Sequence, residues 1–157
     1  MVAMHLIRVY ADTSVYGGVF DKEFSAASRA FFTQVRAGRF RLVVSAIIRD
    51  ELSSAPAEVR NYFGVVRREA EEVFVSRQAL ELQERYIEAG IVGVRWQADA
   101  LHVALATVAE CRLILSWNFK HIVHFDKIGL YNAVNVKYGY GVLGIHTPPE
   151  VIDENKE

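Results

Sequence analysis

The chain has 157 residues, of which 52 % are hydrophobic and 24 % are charged, a length and composition that suit one hydrophobic core and exclude an intrinsically disordered chain. Its formal net charge is −1, from 18 basic and 19 acidic side chains, so it lacks the strong basic excess of many nucleic-acid-binding domains. This balance does not exclude RNA as a ligand, because carboxylates gathered in a site subtract from the charge of any basic rim around it.

Cysteine content and hydropathy indicate the compartment. Cys111 is the only cysteine, which excludes an intramolecular disulfide and a multi-cysteine zinc site. The apolar run at the N-terminus is interrupted by His5 and Arg8, and no stretch approaches ~20 apolar residues, so neither a signal peptide nor a transmembrane helix is predicted. We therefore expect a cytoplasmic protein with no membrane partner. Met1 and Met4 are both plausible translation starts.

Short β-rich runs alternate with segments of helical periodicity along the chain. In chain order, the patterns predict a strand over 6–12, a helix over 21–38, a strand over 39–45, helices over 46–54 and 56–70, a strand over 72–75, helices over 77–90 and 96–110, a strand over 111–117, a helix over 125–139 and a strand over 142–147. Ser45 and Ser76 are predicted N-caps, and Gly38 and Gly90 are predicted stops. This alternation predicts a three-layer α/β/α sandwich around a mostly parallel sheet, with right-handed crossovers.

Four polar residues are predicted to meet at one edge of this sheet. Asp12 ends the first strand, Glu51 lies in the helix after the second, Asp99 begins the helix before the fourth, and Asn118 follows the fourth. Ligands of open parallel sheets bind beyond the carboxyl ends of the strands. Each residue also has an ordinary structural interpretation, as a cap, a solvated helix residue, a partner of the helix dipole or a turn residue. Only their joint placement favours a functional site.

Four segments resemble the PIN-domain family, and together they span nearly the whole chain. They read YADTSVYGG at 10–18, SAIIRDEL at 45–52, ADALHVALA at 98–106 and LILSWNFKHI at 113–122, and the last two are the most specific at this spacing. The resemblance implies a single PIN-like nuclease domain over residues 1–147, followed by a polar C-terminal tail at 148–157. It further implies a small metal-dependent ribonuclease of the VapC-like toxin type.

The same resemblance implies a metal site. In this family, four acidic positions hold one or two Mg²⁺ or Mn²⁺ ions, and Asp12, Glu51 and Asp99 match three of them, with Asn118 standing where an Asp is usual. All four residues are therefore candidate catalytic residues. We expect one tightly held metal between Asp12 and Asp99, with Glu51 acting mainly through water. Mg²⁺ prefers oxygen ligands, and a metal-activated water would hydrolyse RNA phosphodiester bonds.

Neighbouring residues have weaker candidate roles. Ser14 and Ser116 are candidates to orient a water or a carboxylate, and Lys120 and His121 to contact RNA phosphate. All four are weaker candidates for RNA binding. His102, one turn after Asp99, is expected to be a packed helix histidine rather than a ligand, because Mg²⁺ prefers oxygen. Core or hinge packing is the expected role of three nearby aromatic residues, Tyr16, Trp117 and Phe119.

The expected partners are RNA, a possible antitoxin protein and a second copy of the chain. The homodimer rests on the resemblance and on apolar helical segments at 24–32 and 61–66, whose faces exceed what one small core would cover. A basic side chain from an antitoxin tail is expected to reach the carboxylates. The main alternative is a non-catalytic PIN-like module that binds RNA or protein, since Asn118 weakens the acidic set. A haloacid-dehalogenase-like phosphatase would need an Asp where Ser14 stands, and the GxSxG motif of a serine hydrolase is absent.

Overall fold

A computed structural model describes residues 6–153. Its five strands are β1 (Ile7–Ala11), β2 (Phe40–Ser45), β3 (Glu71–Val73), β4 (Leu113–Leu115) and β5 (Gly144–His146). They form one sheet in the order β3-β2-β1-β4-β5, and each neighbouring pair is parallel. The predicted α/β/α sandwich with a mostly parallel sheet is confirmed. The alternative starts Met1 and Met4, and residues 154–157 of the predicted tail, lie outside the described residues.

Helices cover both faces of this sheet. They are α1 (Thr13–Gly18), α2 (Ser25–Arg36), α3 (Ala46–Leu52), α4 (Ala57–Val66), α5 (Arg77–Glu88), α6 (Gln97–Val108) and α7 (Phe125–Lys137), with short 3-10 turns at Arg67–Glu69, Val94–Trp96 and Pro148–Glu150. Ser45 and Ser76 cap α3 and α5 as predicted, each accepting a backbone N–H from the first helical turn. Gly90 follows α5 at a φ of +77°, a conformation that side chains disfavour. None of the helices within residues 6–153 is long and apolar enough to cross a membrane.

Several elements differ from the predicted pattern: α2 begins at Ser25 rather than at residue 21, and β4 and β5 are shorter than the strands predicted over 111–117 and 142–147. Helix α1, which follows β1 directly, was expected to be a loop; at six residues it is too short to show helical periodicity, and the Asp12 side chain caps it by accepting the Ser14 N–H. Strand β3 begins one residue earlier than expected and stops pairing with β2 at Val73. Phe74, predicted to lie in this strand, is instead 82 % exposed.

The elements that lead into the site, strand β1 and helix α6, are buried in the core. Val9, Tyr10 and Ala11 of β1 are completely buried, as expected for a parallel strand covered on both faces. Helix α6 is buried along residues 100–107, which explains why it is apolar around most of its circumference. The Asp12 N–H donates to the Leu115 carbonyl at 3.0 Å, so the pairing of β1 with β4 extends up to the first polar residue.

The two apolar segments that suggested a dimer contact each other and helix α1 within one chain. The rings of Phe32 and Tyr62 lie 5.4 Å apart, and Phe63 meets Tyr16 edge-on at 5.1 Å. Much of their apolar surface is therefore covered within one chain, and the homodimer remains a prediction that rests on the family resemblance.

Residues 148–153, which the sequence assigned to a polar tail, lie against α2. The Gln34 side chain accepts the Asp153 N–H at 3.1 Å and donates to the Asp153 carbonyl at 2.9 Å. Val151 and Ile152 pack against the core from this position. This part of the chain is thus tied to the domain.

Candidate functional site

Asp12 is the most constrained carboxylate of the site. It follows the central strand β1, and only 4 % of its surface is exposed. One carboxylate oxygen accepts the Ser14 N–H at 3.0 Å and the Ser14 hydroxyl, and the other accepts the Ser116 hydroxyl at 2.5 Å. Burial raises the pKa of Asp12 above its ordinary value, although the charge of His102 and these hydrogen bonds oppose the shift. The two serines therefore fix the orientation of the carboxylate.

The same serines connect Asp12 to the segment after β4. The Ser14 hydroxyl accepts the Trp117 N–H at 2.8 Å, and the Ser116 hydroxyl accepts the Asn118 N–H at 2.9 Å. Each hydroxyl thus donates to the carboxylate and accepts from the backbone, which satisfies both of its hydrogen-bonding functions. Of the candidate roles considered for Ser14 and Ser116, the structure places them as orienting groups for Asp12.

Asn118 lies beside Asp99 at this edge of the sheet. Its side-chain oxygen accepts the His121 N–H at 3.0 Å, and its side chain also hydrogen bonds to the Asp99 carboxyl group. Since the oxygen is taken by an N–H donor, the amide NH₂ is the group that serves Asp99. Burial raises the pKa of Asp99, and the hydrogen bond from Asn118 and the charges of His121 and His102 oppose this. Asn118 thus contributes a hydrogen-bond donor to Asp99, in addition to the charges of the two histidines.

Glu51 reaches the site from the last turn of α3. One of its carboxylate oxygens accepts the Thr13 hydroxyl and the Nε2–H of His102, the latter at 2.6 Å, and its side chain is 35 % exposed. Burial alone would raise the pKa of Glu51, but the hydrogen bonds and the charge of His102 lower it. Glu51 is therefore held as a carboxylate.

His102 is the residue whose importance the sequence did not reveal. It is 2 % exposed, in agreement with its expected packing, yet its ring also bonds to Glu51. Burial lowers the pKa of His102, but the hydrogen bond to Glu51 and the charges of Asp12, Glu51 and Asp99 more than offset this and raise it. All three predicted acids thus act on one buried imidazole. The helical spacing of His102 from Asp99 was visible in the sequence, but its contact with Glu51 depends on how α3 and α6 face each other.

Lys120 and His121 occupy different environments in the turn after β4. Lys120 is exposed, so its ammonium group is available to a phosphate. The His121 ring stacks on Trp96 at 4.4 Å between centroids, and neither of its ring nitrogens has a hydrogen-bond partner among the described residues. Of the two residues, Lys120 is therefore the one whose side chain is open to direct contact with an anionic ligand.

Aromatic packing supports the other end of this turn. Trp117 stacks on Phe24 at 4.2 Å, and its indole N–H donates to the Ser28 hydroxyl at 3.0 Å. Trp117 and the buried Tyr16 are in packing positions, as expected, whereas Phe119 is 51 % exposed. A Cβ at Gly18 would lie 2.7 Å from both the Trp117 indole nitrogen and the Ser28 hydroxyl, so this glycine leaves the space that Trp117 occupies.

The oxygen donors of the site fit a magnesium ion that keeps part of its water shell. Asp12, Asp99 and Glu51 offer hard carboxylate oxygens, which Mg²⁺ and Mn²⁺ prefer. Within residues 6–153, however, no three His, Cys, Asp or Glu side chains converge to form a ready-made cage for an ion. This arrangement suits an ion held by two carboxylates and completed by water or substrate phosphate, and it does not suit a structural zinc site.

Comparison with known proteins identifies the fold. No family model matches the chain, and a search of curated protein sequences finds no relative. Among solved structures, the chain is similar to one in the crystal structure of VapBC2 from Rickettsia felis bound to a DNA fragment from their promoter. The two chains are 14 % identical with a TM-score of 0.55, over 88 % of this chain and 98 % of that chain. At this identity the likeness concerns the fold alone, and it confirms the VapC-like PIN fold that the motifs implied.

Proposed function

We propose that this chain is a Mg²⁺- or Mn²⁺-dependent endoribonuclease and the toxin of a type II toxin–antitoxin pair. The observation that carries the proposal is the hydrogen bond between Glu51 and buried His102, whose charged form Asp12 and Asp99 also favour, at the carboxyl edge of a parallel sheet. Burying carboxylates is unfavourable unless they are compensated. Acids whose pKa values are shifted by burial and by a shared histidine are typical of functional sites.

The charges of this cluster call for a cation. Three carboxylates face at most two positive charges, from His102 and His121, so the cluster carries a net negative charge when all three acids are ionised. We expect Asp12 and Asp99 to hold a divalent ion. Once bound, this ion would activate a water and neutralise charge on the phosphoryl oxygens of the substrate. Ser14 and Ser116 would keep the Asp12 carboxylate in position for this role.

We expect individual basic side chains near the site to bind RNA, since the net charge of the chain is close to zero. Exposed Lys120 lies two residues after Asn118 in the turn that adjoins the acids, where it would contact a phosphate flanking the cleaved bond. The similar structure is that of VapBC2 bound to DNA from their promoter, and on that basis we propose that this chain also has an antitoxin partner. A basic side chain of that partner would block the site by pairing with its carboxylates.

The test is cleavage of single-stranded RNA by the purified chain in Mg²⁺, in Mn²⁺ and in EDTA. Asp12→Asn and Asp99→Asn should each lower the metal-dependent rate by about 100-fold or more, because each removes a charge that the ion requires. Asp50→Asn is the matched control, since Asp50 is exposed on the same helix as Glu51 and should retain wild-type activity. Circular dichroism would verify that each variant is folded.

Two outcomes would contradict the proposal. Unchanged cleavage by both Asp12→Asn and Asp99→Asn would exclude the proposed site. RNA binding without cleavage by the wild-type chain in either metal would favour the alternative of a non-catalytic module. The predicted homodimer is tested separately by light scattering at micromolar concentration, where a strictly monomeric mass would count against it.

A further inference from the structure

A line of hydrogen bonds runs from the interior of the protein to Glu51. The Ser45 hydroxyl lies 2.8 Å from the Tyr10 hydroxyl, which lies 2.7 Å from Nδ1 of His102, and Nε2 of His102 lies 2.6 Å from Glu51. Ser45 and Tyr10 are completely inaccessible to solvent, and His102 is 2 % exposed. The line therefore crosses the core and ends at a residue that solvent can reach.

The donors and acceptors along this line match. When Nε2 of His102 donates its hydrogen to Glu51, Nδ1 accepts the Tyr10 hydroxyl, and the Tyr10 oxygen accepts the Ser45 hydroxyl. No buried polar group of the line then lacks a partner, which is the condition under which such groups are tolerated in a core. The Glu51 carboxylate, which can only accept, requires the hydrogen on Nε2 of His102, while Tyr10 and Ser45 hold the ring orientation from deeper in the protein.

Both ends of the line belong to helix α3 or to its N-cap. The Ser45 side chain caps α3 by accepting the Ile48 N–H, and Glu51 is in the last turn of that helix. Between these ends, Tyr10 belongs to β1 and His102 to α6. The line therefore ties α3 to the central strand and to the helix that carries Asp99.

The consequence for Glu51 is a fixed carboxylate. Oε1 accepts the Thr13 hydroxyl and the His102 ring, whereas Oε2 makes no hydrogen bond within residues 6–153. Two donors on the same oxygen restrict the rotation of the carboxylate and leave the other oxygen free for a water or an ion. An exposed glutamate without these contacts would sample several rotamers.

We propose that His102, oriented by Tyr10 and Ser45, is a positioning residue that holds Glu51 in its working geometry. This role rests on the proposed nuclease function, since it concerns the same site. It differs from a purely structural role because a change at His102 would affect the chemical step more than the stability of the protein would explain.

The experiment compares two substitutions at His102 and one at Tyr10. His102→Leu removes the donor to Glu51, whereas His102→Gln retains an amide N–H near the position of Nε2, and Tyr10→Phe leaves Glu51 untouched but releases Nδ1. With saturating Mg²⁺ and a fixed RNA substrate, His102→Leu should lower kcat by about 10- to 100-fold with little change in KM. His102→Gln should restore much of that loss, and Tyr10→Phe should fall between the two.

Tyr86→Phe provides a matched structural control. Tyr86 is also a fully buried tyrosine, and its hydroxyl bonds to Asn135 and Thr107 between α5, α6 and α7. Its loss should lower the thermal midpoint about as much as Tyr10→Phe does, while kcat stays near the wild-type value. A fall in kcat that merely follows stability would appear in both tyrosine variants alike and would overturn the proposal.

A measurement on the metal-free chain separates the geometry from the activity. In the wild type, the imidazole N–H donated to Glu51 should give a downfield proton resonance that exchanges slowly with water, and Glu51→Ala should abolish it. If the wild type cleaves RNA but His102→Leu retains its kcat, the positioning role is wrong while the nuclease function stands. If the wild type does not cleave RNA, the proposed function fails, and the resonance then reports on a structural bond alone, which overturns the positioning role as well.

Discussion

Asn118→Asp tests how the site compensates the negative charge of its carboxylates. In the structure, the amide of Asn118 donates to Asp99 while its oxygen accepts the His121 N–H. An aspartate at this position can still accept from His121, but its second oxygen would face the Asp99 carboxylate without a hydrogen between them. The substitution therefore removes a favourable contact and adds a repulsive one.

Both contributions have estimable sizes. A hydrogen bond to a charged group is worth about 1.5 to 3 kcal/mol, and two like charges about 4 Å apart repel by roughly 4 kcal/mol at an effective dielectric constant of 20. Protonation of one acid relieves part of the repulsion. We therefore expect a loss of roughly 2 to 4 kcal/mol in EDTA, equivalent to about 5 to 15 °C in the melting temperature of a domain of this size.

Magnesium should reverse most of this loss. A bound divalent ion converts the repulsion into a shared attraction, and a ligand at 100 times its dissociation constant stabilises a protein by about 2.7 kcal/mol. The assay is thermal unfolding in EDTA and across a Mg²⁺ titration. The increase in melting temperature should be larger in Asn118→Asp than in wild type, and RNA cleavage by the variant should need less Mg²⁺.

Two further variants isolate the cause. Asn118→Ala removes the donor without adding charge, so it should destabilise the metal-free protein less and show no added response to Mg²⁺. Asn132→Asp is the matched control, because the Asn132 side chain also donates and accepts, in its case with Leu143, away from the acids. If Asn118→Asp is as stable as wild type in EDTA, or responds to Mg²⁺ no more than wild type does, then Asn118 does not govern the charge of the site.

Three other predictions concern packing, pH and salt. Gly18→Ala should lower the free energy of unfolding by about 1 to 3 kcal/mol and change the fluorescence of Trp117, because the added carbon overpacks this site. Gly17→Ala should do neither, since nothing lies within 4 Å of its added carbon. Equal effects of the two variants in unfolding experiments would contradict this prediction. Because the folded pKa of His102 is raised, its contribution to stability is fully present below the ordinary value of 6.5 and is lost as pH rises through the folded pKa. Metal-free stability should therefore decline over that window by an amount that His102→Gln removes, and an unchanged slope in the variant would refute the assignment. Lys120→Ala should weaken RNA binding, measured by anisotropy with Asp12→Asn as the background, and should reduce the salt slope by about 1; an unchanged slope would exclude a phosphate contact.

Local chemistry explains which parts of the fold were predictable. The caps at Ser45 and Ser76 and the stop at Gly90 depend on a side chain and the few residues beside it, so the sequence suffices to place them. Helix α1 was missed because six residues are too few to show a period. The difference between the predicted and observed bounds of β3 has a related cause. The β-rich sequence at 72–75 continues past Val73, the last residue that pairs with β2, and only the partner strand determines where pairing ends.

The same distinction between local and tertiary causes applies to the site. Asp12, Asp99 and Asn118 could be nominated because parallel strands bring their carboxyl ends to one edge, whatever the details of packing. The roles within that group depend on which hydrogen bonds are already made. Asn118 stands where the family usually has an Asp, yet the His121 N–H occupies its side-chain oxygen, so the amide presents its hydrogens to Asp99. A carboxylate that replaced this amide would place beside Asp99 a negative charge that the present chain does not have, and for that reason the response of Asn118→Asp to magnesium discriminates between a donor and a ligand at this position.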